Sequence, residues 1–380
     1  MAYFDNNATT PIGQNALQAY KSALANDWSN PSSPYRSASR VRAKLECARE
    51  ELALDLGVNK EDLIFTSGAT EANNSVFAHV ASNGKKGGRC ILSPFEHPSI
   101  IEPARHWFKD RLAYMPADPS GRVDLEKTEL LLNTENISLV SLMAANNETG
   151  VIQPWNELAK LCSEKGIFFH CDATQWIGKL DSSVFSTCTS FSASAHKFSG
   201  PKGLGWLVSK ELIQSQLGGQ QEKGSRGGTE NYPAIASMLV ALKDANMELA
   251  EFSKRVEWRD QFEQNIINTI PGTIVLGKKN PRLWNTSMIL LPEFDNLSWI
   301  GKLDKRGISV STGSACSVGN VLNSSLVSYM GLSLIEAGRL VRISSYSEQK
   351  ESDWQSLDLA FSHVFKELKE EASRSSVISL

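Results

Sequence analysis

The sequence predicts an α/β protein: a large domain on a mostly parallel sheet, joined to a smaller α+β domain. Three observations predict it. Apolar, β-branched runs at 62–66, 89–93, 112–115, 137–143, 167–171, 189–192 and 205–208 alternate with helical patterns at 70–81, 98–109, 125–132 and 155–165, the order that builds βαβ units. A helical stretch over 232–269, closed by Pro271-Gly272, is too long for one globular helix and divides into two, the second crossing into a new domain. Beyond it the order changes to strands at 274–276 and 286–291, a helix at 297–305, a strand at 340–344 and a C-terminal helix. The large domain is therefore expected over 13–252, and the small one over 1–12 and 253–380. Residues 373–380 read as a frayed tail.

Composition agrees with a soluble globular chain. The 380 residues are 41% hydrophobic and 21% charged, and 39 basic against 42 acidic residues leave a net charge of −3. That balance offers no electrostatic reason to expect nucleic acid or an anionic membrane as partner. The first seven residues show no basic segment followed by an apolar one, and no apolar run is long enough to span a bilayer, so a cytoplasmic location is expected. The six cysteines are scattered without metal-ligand or disulfide spacing, so no metal site is expected. Cys47, Cys90, Cys162, Cys171 and Cys188 read as core residues. Cys316 does not.

The chemistry is expected in the polar segments that follow the strands, where parallel sheets bind ligands. Lys197 lies in Ser192-Ala193-Ser194-Ala195-His196-Lys197-Phe198-Ser199-Gly200-Pro201, among small residues and before a Gly-Pro turn, a poor setting for a solvated charge. Upstream, Asp172 closes an apolar strand in His170-Cys171-Asp172-Ala173-Thr174-Gln175. A lysine that holds an aldehyde cofactor as a Schiff base, with a carboxylate facing the ring nitrogen, explains the pair. Taken alone, Asp172 serves equally as a helix cap and His196 as a structural histidine.

Other segments carry the same double reading. Small residues in Thr66-Ser67-Gly68-Ala69-Thr70 let backbone N–H groups approach a phosphate, or simply cap a helix. Ser194 and His196 are placed to anchor that phosphate, and Gln175 to donate to a phenolic oxygen. His97, before Pro98 at a helix start, is a candidate to stack on a cofactor ring and move protons near neutral pH. Asn147, in an Asn- and Gly-rich turn, is a candidate donor to cofactor or substrate. Thr229 ends a glycine-rich loop that reads as a linker or a phosphate contact. Arg342, in an otherwise apolar strand, needs an anion, either a structural carboxylate or that of a substrate. Cys316 sits in Ser311-Thr312-Gly313-Ser314-Ala315-Cys316-Ser317-Val318-Gly319, small residues that suit an exposed nucleophile better than a core thiol. The P-loop-like 272–279 lacks its Ser/Thr and reads as a strand.

Taken in order, Asp5-Asn6-Asn7-Ala8-Thr9-Thr10, Asn30-Pro31-Ser32-Ser33, 66–74, Glu96-His97-Pro98, 146–150, 170–175, 194–203, 228–231 and 313–317 closely resemble the cysteine desulfurases of the NifS/IscS type, in the class V group of pyridoxal-phosphate enzymes. The resemblance implies the type I fold of those enzymes. It implies that Lys197 carries pyridoxal 5'-phosphate, Asp172 faces the ring nitrogen, His97 stacks on the ring, and Gln175 and Asn147 meet the phenolic oxygen. Ala69, Thr70, Ser194 and His196 would hold the phosphate, with Thr229 supplied by the other subunit of a homodimer. Arg342 would bind the carboxylate of L-cysteine. Cys316 would take its sulfur as a persulfide, releasing alanine and passing sulfur to an acceptor protein, in iron–sulfur cluster assembly, tRNA thiolation or DNA modification. Other carbon–sulfur or carbon–selenium lyases of the cofactor, acting on selenocysteine or cystine, are the alternative, and a non-catalytic relative the remoter one. After Arg342-Ile343-Ser344 this chain reads Ser345-Tyr346, where the family usually has Leu-Gly.

Overall fold

The computed structural model describes residues 2–134, 136–312 and 328–378. Its centre is a seven-stranded sheet of β2 (Leu63–Thr66), β3 (Arg89–Leu92), β4 (Leu112–Tyr114), β5 (Ile137–Ser141), β6 (Phe168–Asp172), β7 (Ser190–Ser194) and β8 (Gly205–Ser209), in the order β2-β8-β7-β6-β5-β3-β4. Neighbours from β7 to β4 are parallel; β8 runs antiparallel to both β7 and β2. Two reversals return β2 to the direction of β7. The carboxyl ends of β2, β3, β5, β6 and β7 therefore share one edge, which is what gathers the site.

Helices cover both faces, as a sheet buried on both sides requires. Helices α3 (Ala69–Asn83) and α4 (Pro98–Phe108) pack Val76, Phe77, Ile100 and Phe108 against Cys90, Leu92 and Leu139. The other face meets α1 (Gln14–Asn26), α2 (Arg36–Leu56), α6 (Trp155–Glu164) and α7 (Tyr232–Lys254), with α5 (Leu125–Thr134) beside them. The sequence reading assigned nothing to α1 or α2.

The stretch 232–269 is two helices, α7 and α8 (Val256–Thr269), meeting at Arg255. No Gly or Pro breaks it. Phe252 faces the large core, while Phe262 and Ile266 face a second one, and the guanidinium of Arg255 stacks over Phe252, Trp258 and Trp284 at the joint. That second core joins β10 (Thr286–Leu290) and β12 (Leu340–Ser344), antiparallel partners in a sheet with β9 (Ile274–Val275), to Trp299 of α9 (Asn296–Asp304) and to the C-terminal helix Glu351–Ile378. Residues 373–378, read as a frayed tail, continue this helix; Ser373 Oγ donates to Lys369 O at 2.9 Å.

The N-terminal segment links the two parts. Strand β1 (Ala2–Tyr3) pairs with β11 (Ile308–Ser309), Asp5 bridges Ser344 of β12, and Thr10 N donates to His196 O at 2.9 Å. Residues 5–10 thus run from the small sheet to the turn that carries Lys197. No helix among the described residues is long and apolar enough to cross a membrane, and no cluster of metal-ligating side chains occurs among them.

Candidate active site

Lys197 ends a single 3-10 turn, Ala195–Lys197, directly after β7. Its Nζ donates to the carbonyls of Asn7 (2.5 Å) and Ala8 (2.9 Å), so the N-terminal segment fixes the amine. His196 projects from the same turn, its Nδ1 3.1 Å from Thr9 Oγ1; burial and the nearby Lys197, Lys202 and Lys179 lower it to about 4, so it is neutral at physiological pH.

Asp172, the last residue of β6, is 6% exposed. Oδ1 accepts from Thr174 N at 3.0 Å and Oδ2 from Asn73 Nδ2 at 3.2 Å. No helix starts directly after Asp172; the carboxylate holds the turn that follows β6 and is itself held by Asn73. Asn73, in the second turn of α3, was quoted in a motif but given no role, and it organises this side of the site. Its Nδ2 also donates to Ser99 Oγ (2.9 Å), and its Oδ1 accepts from Ser192 Oγ (2.6 Å) and faces His170 Nε2 (3.0 Å). An amide oxygen only accepts, so His170 carries its proton on Nε2 and accepts at Nδ1 from Ser190 Oγ, 2.8 Å away. Burial lowers His170 to about 4.

His97 caps α4. Ser99 N donates to His97 Nδ1 at 3.1 Å, which leaves the ring proton on Nε2. Burial lowers its basicity, Asp172 partly restores it and Lys197 opposes it, so His97 lies in the fields of both groups it was predicted to join. Glu96, its neighbour, is buried. Oε1 accepts from Met143 N at 2.7 Å, and burial with the charge of Asp172 raises Glu96 well above the usual carboxylate range. Its surroundings thus favour the neutral acid.

The phosphate candidates converge at the start of α3. Ala69 N donates to Ser194 Oγ at 2.8 Å, and Thr70 follows in the first turn. Close approach is possible because two glycines meet: a Cβ on Gly205 would lie 2.3 Å from Ala193 O and 2.7 Å from Gly68 Cα, and one on Gly68 would point at Ser194 Oγ from 3.4 Å. Such a small-residue cradle at a helix N-terminus fits an anion. Thr229 lines a separate groove with Thr66, Ser67 and Gly203.

Gln175 is buried, and its Nε2 donates to Asn7 O at 3.0 Å, the same carbonyl that holds Lys197. Asn7 also uses its side chain: Nδ2 donates to Thr286 Oγ1 (2.9 Å) and Asn147 O (3.1 Å), and Oδ1 accepts from Asn285 Nδ2 (3.1 Å) and Lys179 Nζ (3.2 Å). Asn7 and Lys179 are further residues that sequence reasoning missed as site residues. Arg342 is 2% exposed; its Nη2 pairs with Asp5 Oδ1 (2.6 Å) and its Nη1 donates to Asn147 O (3.2 Å). Within one chain the structural ion pair is therefore real, and Arg342 and Asn147 meet. Asn146 spends its side chain on the turn, accepting from Glu148 N, Thr149 N and Thr149 Oγ1. Cys316 lies outside the described residues. Of the five cysteines read as core, four are buried; Cys47 is exposed, since the buried stripe of α2 runs through Val41, Leu45, Ala48 and Leu52 and leaves position 47 on the outer side.

The profile of the aminotransferase class-V family matches residues 2–357. The chain belongs to this family. Among class V relatives, a cysteine desulfurase of Enterobacter agglomerans is 35% identical over 93% of this chain and 90% of its own. A solved NifS-like protein superposes with a TM-score of 0.87 at 31% identity, covering 96% of this chain and 99% of the other. The structure of SspA in complex with cysteine matches with a TM-score of 0.78 at 28% identity, over 90% of this chain and 98% of SspA. Class V enzymes related in this way depend on pyridoxal phosphate, and the buried Asp172, the amine of Lys197 and the Gly68–Ser194 cradle fit that group.

Proposed function

We propose that this class V chain is a cysteine desulfurase, converting L-cysteine to L-alanine and taking the sulfur onto Cys316. The observation that carries the reading is the convergence of Lys197, His97 and Asp172 at one sheet edge, His97 in the field of both others, within a chain related throughout to cysteine desulfurases.

Bound here, pyridoxal phosphate supplies an aldehyde that condenses with amines and a ring that stores the electron pair released at Cα. Lys197 would be the amine that holds the aldehyde and the base that takes the Cα proton. Asp172 keeps the ring nitrogen protonated, with Asn73 and Thr174 N holding its oxygens in place. His97 would lie against the ring, and its lowered basicity would suit it to relay protons. Ala69, Thr70, Ser194 and His196 take the phosphate; Gln175 and Asn147 take the phenolic oxygen. Arg342 binds the substrate carboxylate beside Asn147. The Cys316 thiolate forms the new S–S bond to the substrate sulfur as the Cβ–S bond breaks.

Residues 13–252 form the cofactor domain in this reading, and 1–12 with 253–380 the small one. The enzyme works as a homodimer, Thr229 reaching the other subunit's phosphate. The exposed Leu212 and Leu217 near that glycine-rich loop support a covered face there. The persulfide passes to an acceptor protein, in iron–sulfur cluster assembly, tRNA thiolation or DNA modification.

The test is incubation with cysteine and a reductant, measuring sulfide and alanine, with mass analysis of Cys316. Equal sulfide and alanine, an added sulfur on Cys316, and loss of sulfide in Lys197→Ala and Cys316→Ser are expected. Pyruvate in place of alanine, or full activity in Cys316→Ser, would overturn the reading.

A further inference from the structure

The site holds a second lysine. Lys179 lies in the loop after β6, seven residues past Asp172, and is only 1% exposed. Its Nζ donates to two neutral amide oxygens, Asn7 Oδ1 at 3.2 Å and Gln175 Oε1. Its backbone is pinned from the other side: Trp284 Nε1 donates to Lys179 O at 3.1 Å, and Tyr346 Oη to Gly178 O at 2.8 Å. Tyr346 is one of the residues that depart from the family's usual Leu-Gly. A buried lysine so firmly placed, with no carboxylate among its hydrogen-bond acceptors, is costly unless its position is used.

The use follows from donor and acceptor chemistry. The Lys179 amine donates to Gln175 Oε1, so the oxygen end of that amide faces the lysine. The NH2 of Gln175 is thereby turned the other way, onto Asn7 O, where it meets the amine of Lys197. Asn7 O, which only accepts, holds the NH2 end and Lys179 the oxygen end; without Lys179 the Gln175 Oε1 loses this donor.

We propose that Lys179 is a positioning residue for the cofactor site: it holds the Gln175 amide with its NH2 on the Lys197 side, and sets a second amine beside that of Lys197. The proposal rests on the reading of Lys197 and Gln175 given above. Burial first, then Lys197 and Arg342, push Lys179 well below the usual lysine range, as two close cations require. Other titratable groups around Lys197 include His196 on its own turn and His97 at the start of α4, and His97 in turn faces Asp172. The substitutions below leave all of them in place.

The experiment titrates the visible absorbance of the cofactor-loaded protein against pH. In Lys179→Met the midpoint rises by about one pH unit, because a neighbouring amine and a directed donor are both lost. In Lys179→Gln, which keeps an NH2 to donate to Gln175, the midpoint still rises, and kcat recovers relative to Lys179→Met at similar KM. An unmoved midpoint in both overturns the proposal; should Lys179→Met fail to fold, the midpoint of Lys179→Gln decides. Borohydride reduction and peptide mapping of the wild type separates this from the underlying reading. A label on Lys197 with unmoved variants removes the role of Lys179 alone. A label on Lys179, or no cofactor uptake, removes both.

Discussion

Arg342 Nη2 lies 2.6 Å from Oδ1 of Asp5, a buried guanidinium paired with a carboxylate from the opposite end of the chain. The pair leaves Nη1 on the carbonyl of Asn147, so the arginine is oriented before any substrate arrives. Asp5→Ala should release that orientation. Its KM for cysteine should rise roughly tenfold, as for a lost charge-assisted bond, with kcat changed much less. Steady-state kinetics check it, with the visible spectrum as a control for cofactor binding. A lower KM would mean that Asp5 competes with the substrate instead of placing its receptor.

Asn73 ties Asp172, His170, Ser192 and Ser99 together through one buried amide. Replacing it by the similarly sized Leu strands several buried polar groups at about 1–3 kcal/mol each. Asn73→Leu should lose about 3 kcal/mol or more of stability and release the cofactor faster than wild type. Urea denaturation and the rate of cofactor loss on dilution measure the two effects.

Two buried groups give opposite pH signatures. His170 is lowered in the folded state from 6.5 to about 4. The unfolded chain therefore takes up a proton first, and stability falls as pH drops from about 6.5 towards 4, by at most about 3 kcal/mol. Glu96 is raised well above 4.5. Its contribution is fully present below pH 4.5 and is lost as pH climbs above that, because the unfolded carboxyl ionises while the folded one stays neutral. Denaturation midpoints across pH 4–8 should show a shallower acid limb in His170→Asn. In Glu96→Gln stability should gain on wild type as pH rises above about 4.5. Parallel curves for variant and wild type would contradict either assignment.

Gly205→Ala tests the cradle. The new Cβ would sit 2.3 Å from Ala193 O and 2.7 Å from Gly68 Cα, both backbone atoms, so the turn before α3 must move. Affinity for pyridoxal phosphate should fall by about tenfold or more, while affinity for pyridoxal, which lacks the phosphate, should change little. Equilibrium binding of the two compounds separates a phosphate effect from general damage.

Much of this was legible in the sequence, for a physical reason. Most of strands β2 to β8 announce themselves as short apolar runs between helical patterns, and Lys197, Asp172, His97 and Gln175 stand at or just after the ends of such runs, where a parallel sheet places its ligands. The helices α1 and α2 gave a weaker signal. The buried face of α1 is Ala16 and Ala23, and α2 spreads its apolar stripe among many charges. Asn7, Asn73 and Lys179 were quoted or passed over without a role because their meaning lies in their partners. Asn7 resembles a turn asparagine until Lys197, Gln175, Lys179 and Thr286 are seen on its two ends. Lys179 follows a glycine and reads as an exposed loop lysine until burial shows otherwise.

The Asp5–Arg342 pair and the bonds of Asn6 to Ser344 and Gln349 join residues far apart along the chain. At roughly 5–20 residues per second, the N-terminal segment waits on the order of tens of seconds for those partners to leave the ribosome. Until then nothing from β12 braces the carbonyls that hold the Lys197 amine. A finished place for the cofactor therefore waits on β12, and chains cut short before that strand should emerge without one.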